Sequence, residues 1–203
     1  MRDPQFPAPL GGQGIAVDGH AVKSIDHAYV AFNKPRGLVV STADEKGRDT
    51  IYTALAGAGL PWLGPVGRLD KASEGLLLLS NDTTWAAGIT DPVSHLDKTY
   101  HVQVAGLPDT AAFSAMLVGV HDAGEHLKVR RATLLRAGEK NAWIEVVLDE
   151  GRNRHIRRLL AALGHDVLRL IRVAVGPLAL GELAKGQWRQ LSEEEINALD
   201  TRR

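Results

Sequence analysis

One carboxylate stands out by its surroundings. Asp70 lies in Gly67-Arg68-Leu69-Asp70-Lys71-Ala72-Ser73-Glu74-Gly75, a glycine-bounded polar stretch that runs directly into Leu76-Leu77-Leu78-Leu79. The leucine run reads as a buried strand, which puts Asp70 on a rigid edge. With Arg68 and Lys71 beside it and Glu74 after it, such a group suits a nucleophile, a general base, a ligand or a plain turn residue. A second cluster is cationic. Glu150-Gly151-Arg152-Asn153-Arg154-His155-Ile156-Arg157-Arg158 opens a helix expected to start at Asn153 as N-cap and to stop at Gly164. Cations in a first helical turn oppose the helix dipole, so a carboxylate or phosphate laid against this end would compensate them. A solvated, arginine-rich face is the other reading.

These residues need elements to hold them. Ile156, Leu159, Leu160 and Leu163 form the docking face of the arginine helix, with Arg154, Arg157, Arg158 and Ala161 opposite. Ahead of the Asp70 turn, Tyr29-Val30-Ala31-Phe32 has β character and ends at a turn, Asn33-Lys34-Pro35-Arg36-Gly37, after which 38–40 is extended. Helical spacing over 49–60 is interrupted by Gly57 and Gly59, and 61–67 reads as irregular. Asn81-Asp82-Thr83 caps a short helix that Asp91-Pro92 ends. Lys98 to Val104 alternates with period two, so Tyr100, Val102 and Val104 share a face. Pro108-Asp109 opens a helix through Met116, and extended segments follow at 128–136 and 141–149. Strands at 167–175 and 186–191 and a helix behind a Ser192/Glu195 capping box complete the chain. Residues 1–25, with three prolines followed by three glycines, read as a flexible tail or linker with a short extended piece near 14–22, leaving 26–203 as one folded domain.

Composition sets the outer bounds. The 203 residues are 44% hydrophobic and 24% charged, enough for one sizeable core or two small ones and unlike a disordered chain. No apolar run is long enough to cross a bilayer and the amino terminus lacks a secretory apolar core, so a cytoplasmic protein is expected. The absence of cysteine removes thiolate chemistry and disulfides, and the eight histidines show no zinc-binding spacing, so no metal is expected. Formal net charge is zero but segregated: 13 Lys or Arg stand against 6 Asp or Glu from Lys128 to Arg189, leaving 11 basic and 18 acidic residues elsewhere. The basic stretch is either a solvated face or a surface that follows a phosphate backbone.

Taken together, these motifs resemble those of the RsuA-type pseudouridine synthases, which isomerise single uridines in ribosomal RNA. The resemblance rests on Asn33-Lys34-Pro35-Arg36-Gly37, on residues 67–79, on Lys98-Thr99-Tyr100, on residues 150–158 and on Leu168-Arg169-Leu170-Ile171-Arg172, in that order. Two departures are visible: His155 stands where the family usually has Gln, and Thr83-Thr84 where a glycine is usual. Fewer than thirty residues precede the first core strand, so the resemblance is to the short form that lacks a separate amino-terminal RNA-binding module.

The fold so implied is α+β: a mixed, mostly antiparallel central sheet with flanking helices, in two subdomains around a catalytic cleft. The chemistry implied breaks the N1 to C1' bond of uridine, turns the base and rejoins it through C5, with no redox change and no cofactor. By this resemblance Asp70 is the nucleophile, acting at C1' or C6 or assisting elimination; Arg157 is its guanidinium partner; Tyr100 stacks on the flipped base. Lys34, Arg68, Arg152, Arg154, Arg158 and Arg169 are the expected RNA contacts, with Arg68 filling the gap left by the extruded base, and Leu170 or Ile171 packs against the uracil. Large-subunit (23S) ribosomal RNA is the expected substrate, 16S or transfer RNA the alternatives, and a monomer the expected state. A hydrolase using Asp70 and Glu74 as its two carboxylates and a catalytically inactive RNA-binding protein are the rival classes.

Overall fold

The computed structural model describes residues 26–41 and 47–201, and the backbone alone at 16–17 and 20–21. The tail expected over 1–25 therefore lies outside the described residues, apart from β1 (Ala16–Val17) and β2 (His20–Ala21), which pair antiparallel. The chain then runs through β3 (Tyr29–Lys34), α1 (Ile51–Ala54), β4 (Gly64–Val66), β5 (Glu74–Ser80) and α2 (Thr83–Thr90). Next come β6 (Lys98–Ala105), α3 (Thr110–Val118), β7 (Val120–Asp122), β8 (Glu125–Leu127), β9 (Arg131–Ala137) and β10 (Asn141–Leu148). The last elements are α4 (His155–Ala162), β11 (Val167–Val175), β12 (Leu178–Ala179), β13 (Trp188–Gln190) and α5 (Glu193–Leu199).

Nine of the described strands form one sheet. Its order is β13-β3-β5-β11-β6-β10-β9, with β4 added on β5 and β12 on β11. The β5–β11 pair is parallel and the other pairs are antiparallel, the mixed α+β sheet that the resemblance implied. The leucine run is explained by burial on both faces. Leu76 and Leu78 join a cluster with Trp85, Ile89 and Leu199 under α2 and α5, while Leu77 and Leu79 join Val30, Phe32 and Ile51 on the other side. A third cluster lies under α3 and α4, where Val102, Val104, Ile144 and Val146 meet Met116, Ile156, Leu159 and Leu160. Each such aliphatic side chain contributes about 1.5–3 kcal/mol on burial.

The parallel join at the centre depends on one glycine. Gly75 pairs with Arg172 at φ +102°, and a Cβ there would lie 2.2 Å from the Arg172 carbonyl oxygen. No residue with a side chain fits this approach. Because the two strands run parallel with Glu74 at the start of β5 beside Ile171, the Asp70 loop lies next to the first half of β11, within reach of Arg157 of α4.

Local chemistry sets the element ends. Asp82 accepts from the Thr84 and Trp85 amides at the start of α2, and Ser192 with Glu195 forms the capping box of α5. Five expectations change. The helical segment over 49–60 is only the single turn of α1, with Gly57 and Gly59 at positive φ beyond it. Part of 61–67 is a strand, β4, and β3 runs on through Asn33 and Lys34, which were expected in the turn. The β7–β8 hairpin was not anticipated at all. The N-cap of α4 is Arg154 in the left-handed region (φ 50°, ψ 31°), not Asn153, and it makes no side-chain cap.

Candidate active site

A cleft of about 580 Å³ opens where the Asp70 loop, the Glu150–Arg154 loop and the ends of β6 and β11 converge. Its walls include Arg68, Asp70, Tyr100, Leu170, Arg152 and Arg154, so six of the residues singled out by sequence meet here. Arg68, Arg152 and Arg154 are exposed at its rim, and Arg152 also donates to Glu150 at 3.1 Å.

The backbone under Asp70 is held at every residue. Lys34 Nζ donates to the carbonyls of Asp70 (3.3 Å) and Ser73 (2.8 Å) as well as Pro35 (3.1 Å); the Gly37 amide donates to the Lys71 carbonyl (2.8 Å); Arg157 Nη2 donates to the Ala72 carbonyl (3.1 Å). Four successive carbonyls, from Asp70 to Ser73, are thus pinned, and the Ser73 amide closes the turn onto Asp70. The Asp70 carboxylate itself accepts no hydrogen bond among the described residues and stays partly exposed on the cleft wall. A reactive group on a fixed backbone with a free head suits nucleophilic or base chemistry.

Several expected placements change. Lys34, expected on RNA, is completely buried, and its ammonium is committed to the three carbonyls above. Burial lowers its pKa to about 8, against the opposing pull of Glu74 and Asp70. Arg157 makes no ion pair with Asp70 within 4.0 Å: its guanidinium bridges the Ala72 and Val167 carbonyls, linking the Asp70 loop to β11. Burial and the Arg154 charge lower its pKa, and the field of Asp70 acts against them. Arg158 points away from the cleft and grips Asp122 and Glu125 of the β7–β8 hairpin. Arg169 forms a two-point pair with Glu74 at 3.1 and 3.2 Å. Burial would raise the pKa of Glu74, but the hydrogen bonds and charges of Arg169 and Lys185 outweigh it and hold Glu74 below its usual value. This fixed carboxylate does not line the cleft, which removes it as the partner of Asp70 in a two-carboxylate hydrolysis. Of the two aliphatic candidates, Leu170 faces the cleft, whereas strand alternation turns Ile171 to the other side of the sheet.

Three cleft residues had been quoted in motifs without a role. Lys98 and Arg172 both line it. Arg172 is buried and donates to the Leu76 carbonyl at 2.7 Å, while burial and then the Arg172 charge lower the pKa of Lys98 against the pull of Asp149 and Asp97. Their encounter depends on β6 pairing with β11, Tyr100 opposite Arg172, a contact across more than seventy residues that no local spacing announces. His155 is buried beneath the Glu150 loop with its Nδ1 3.7 Å from Glu150, and burial keeps its ring from protonating at its ordinary pH. Among the described residues no group of three or more His, Asp or Glu side chains is arranged to hold a metal ion.

The cleft brings a free carboxylate together with an aromatic ring and several cations, and comparison with known proteins gives the family. Residues 28–162 match the model of the RNA pseudouridylate synthase family, and the chain belongs to it. It is 42% identical over 176 residues to the ribosomal large subunit pseudouridine synthase E of Xanthomonas campestris, covering 79% of this chain and 93% of that one. The ribosomal large subunit pseudouridine synthase B of Bacillus subtilis is 33% identical over 192 residues, covering 93% and 78%. A crystal structure of a pseudouridylate synthase superposes with a TM-score of 0.75 at 34% identity, covering 86% of this chain and 74% of that one. The protein is an RNA pseudouridine synthase, an isomerase. No described helix is long and apolar enough to cross a membrane.

Proposed function

We propose that this synthase isomerises one uridine of large-subunit ribosomal RNA, with residues 26–203 as its catalytic domain and Asp70 as its nucleophile. The observation that carries the reading is the free carboxylate of Asp70 on a four-carbonyl anchor, in one cleft with Tyr100 and Leu170. A flipped uracil would lie between Tyr100 and Leu170, and a cleft of about 580 Å³ has room for a nucleotide. Lys98 and Arg172, inside the cleft, would meet a phosphate of the extruded nucleotide, and Arg68, Arg152 and Arg154 at the rim would follow the backbone. Removing a base from structured RNA costs a few kcal/mol, which such phosphate and stacking contacts offset.

Isomerisation requires the glycosidic N1–C1' bond to break, a C5–C1' bond to form, and the C5 proton to leave while N1 gains one. Asp70 begins the exchange at C1' or C6, or by assisting elimination, and the Tyr100 hydroxyl serves the proton transfers. Arg157 acts on Asp70 through the loop it pins and through its charge. The large-subunit assignment draws support from the two relatives named for that substrate. Mapping pseudouridines in ribosomal and transfer RNA from cells with and without the gene tests it. One missing large-subunit site is expected; a lost 16S or transfer RNA site with an intact large subunit would contradict it.

A further inference from the structure

We propose that the sheet carries a second RNA-binding site on the side facing away from the cleft, centred on Trp143, which takes an unpaired nucleotide of the same RNA. The inference rests on the reading of the cleft as acting on a large RNA. Register places four residues in one row across four strands: Arg136 of β9 opposite Trp143 of β10, Trp143 opposite Gln103 of β6, and Gln103 opposite Arg169 of β11. Directly opposed residues share a face, and neighbouring strands lie about 4.8 Å apart, so the row is a shallow platform about 14 Å wide. Tyr100 and Leu170, three positions from Gln103 on β6 and one from Arg169 on β11, odd offsets in both strands, face the cleft on the reverse side.

The chemistry of the row is that of a nucleotide site. Both guanidinium carbons lie close to the Trp143 ring, Arg136 at 5.4 Å and Arg169 at 5.6 Å from its centroid. Glu74 holds Arg169 from behind, which fixes one side of the indole; Arg136 makes no ion pair among the described residues. Beside the ring is a cavity of about 280 Å³, lined by Gln103, Arg136, Lys140 and Asn141, among others. None of these four makes a side-chain hydrogen bond among the described residues, so two amides that can read a base edge and two cations that can meet its phosphate are all available. Charge complementarity favours an anion. Arg136 and Lys140 stand against Glu139 among the lining residues, Arg169 and Lys185 share the single carboxylate of Glu74, and Glu145, two positions along β10 on the same face, is paired with Arg131. An aromatic plate, free guanidinium and ammonium groups and unpaired amides match a stacked nucleotide and its phosphate better than they match an apolar protein partner.

The test uses the full chain and its R136A/K140A variant, in which both substitutions are at exposed positions that leave the core untouched. Equilibrium binding is measured over a range of salt concentrations to a large-subunit ribosomal RNA transcript and to a single-stranded oligouridylate, alongside pseudouridine formation at saturating transcript. The variant should bind both RNAs about tenfold more weakly, the slope of log affinity against log salt should fall by about 1.5, and turnover at saturation should be unchanged. W143F should retain oligouridylate binding and W143L should lose it. Unchanged affinity and salt slope in R136A/K140A would overturn the inference, as would oligouridylate binding by W143L equal to that of the wild type. If the wild type binds both RNAs but isomerises no uridine in the transcript, the large-subunit reading of the cleft fails, and the oligouridylate measurement still decides the second site.

Discussion

The Lys34 ammonium and the Asp70 carboxylate never pair, yet the first governs the second. Lys34 donates to the carbonyls of Pro35, Asp70 and Ser73 from a fully buried position. Its pKa in the folded protein, about 8, lies below the value near 10.4 of an unfolded chain. Below pH 8 both states hold the proton, and burying the charge opposes folding by about 3 kcal/mol. Between pH 8 and about 10.4 the unfolded chain binds a proton that the folded chain has released, so this group makes stability rise with pH. Activity should move the other way, because a neutral amine holds the carbonyls less strongly and the Asp70 loop loosens. kcat/KM measured against pH should fall with a midpoint near 8 while the urea midpoint does not fall over the same window. K34M should fold, lose at least about tenfold in kcat at pH 7 and lose that alkaline limb; an unchanged limb in K34M would assign it to another group. Arg154 makes a contrasting case. Its φ of 50° is costly for a residue with a Cβ. R154G should raise Tm by about 2–4 °C, for about 1 kcal/mol, while weakening RNA binding, as thermal melts and binding titrations would show.

At the scale of elements, legibility followed the range of the interactions. The caps at Asp82 and Ser192 and the alternation of Tyr100, Val102 and Val104 are written in residues a few positions apart, and all stand in the structure. The β7–β8 hairpin was hidden because its turn, Ala123-Gly124, puts an alanine at φ 48° where asparagine or aspartate is the usual signal. Asn153 carried the right chemistry for an N-cap, but Arg158, by gripping Asp122 and Glu125 and reaching the Asn153 carbonyl, ties the start of α4 to that hairpin. Ile171 and Leu170 could have been separated from sequence, since only one of two successive strand residues faces the cleft. The parallel β5–β11 join could not, because it is decided by the meeting of Gly75 and Arg172. G75A should therefore cost at least about 3 kcal/mol in urea unfolding, since its Cβ would overlap the Arg172 carbonyl; a loss under 1 kcal/mol would show that the join can widen.

For the whole molecule, zero net charge conceals a division of labour. The basic stretch from Lys128 to Arg189 supplies Arg152, Arg154 and Arg172 to the cleft and Arg136, Lys140 and Arg169 to the opposite face. Other cations of that stretch hold the protein together, as Arg157 and Arg158 do, so counting basic residues overstated the surface offered to RNA. Raising salt from 50 to 200 mM should increase KM for RNA severalfold and leave kcat nearly unchanged, because phosphate contacts are screened while the chemistry sits inside the cleft. The most direct measurement is single-turnover pseudouridine formation by D70N on a large-subunit transcript, with RNA affinity and thermal melting measured on the same sample. A protein that melts and binds as the wild type does but forms no pseudouridine is the expected result, and an isomerisation rate within tenfold of wild type would contradict the role given to Asp70.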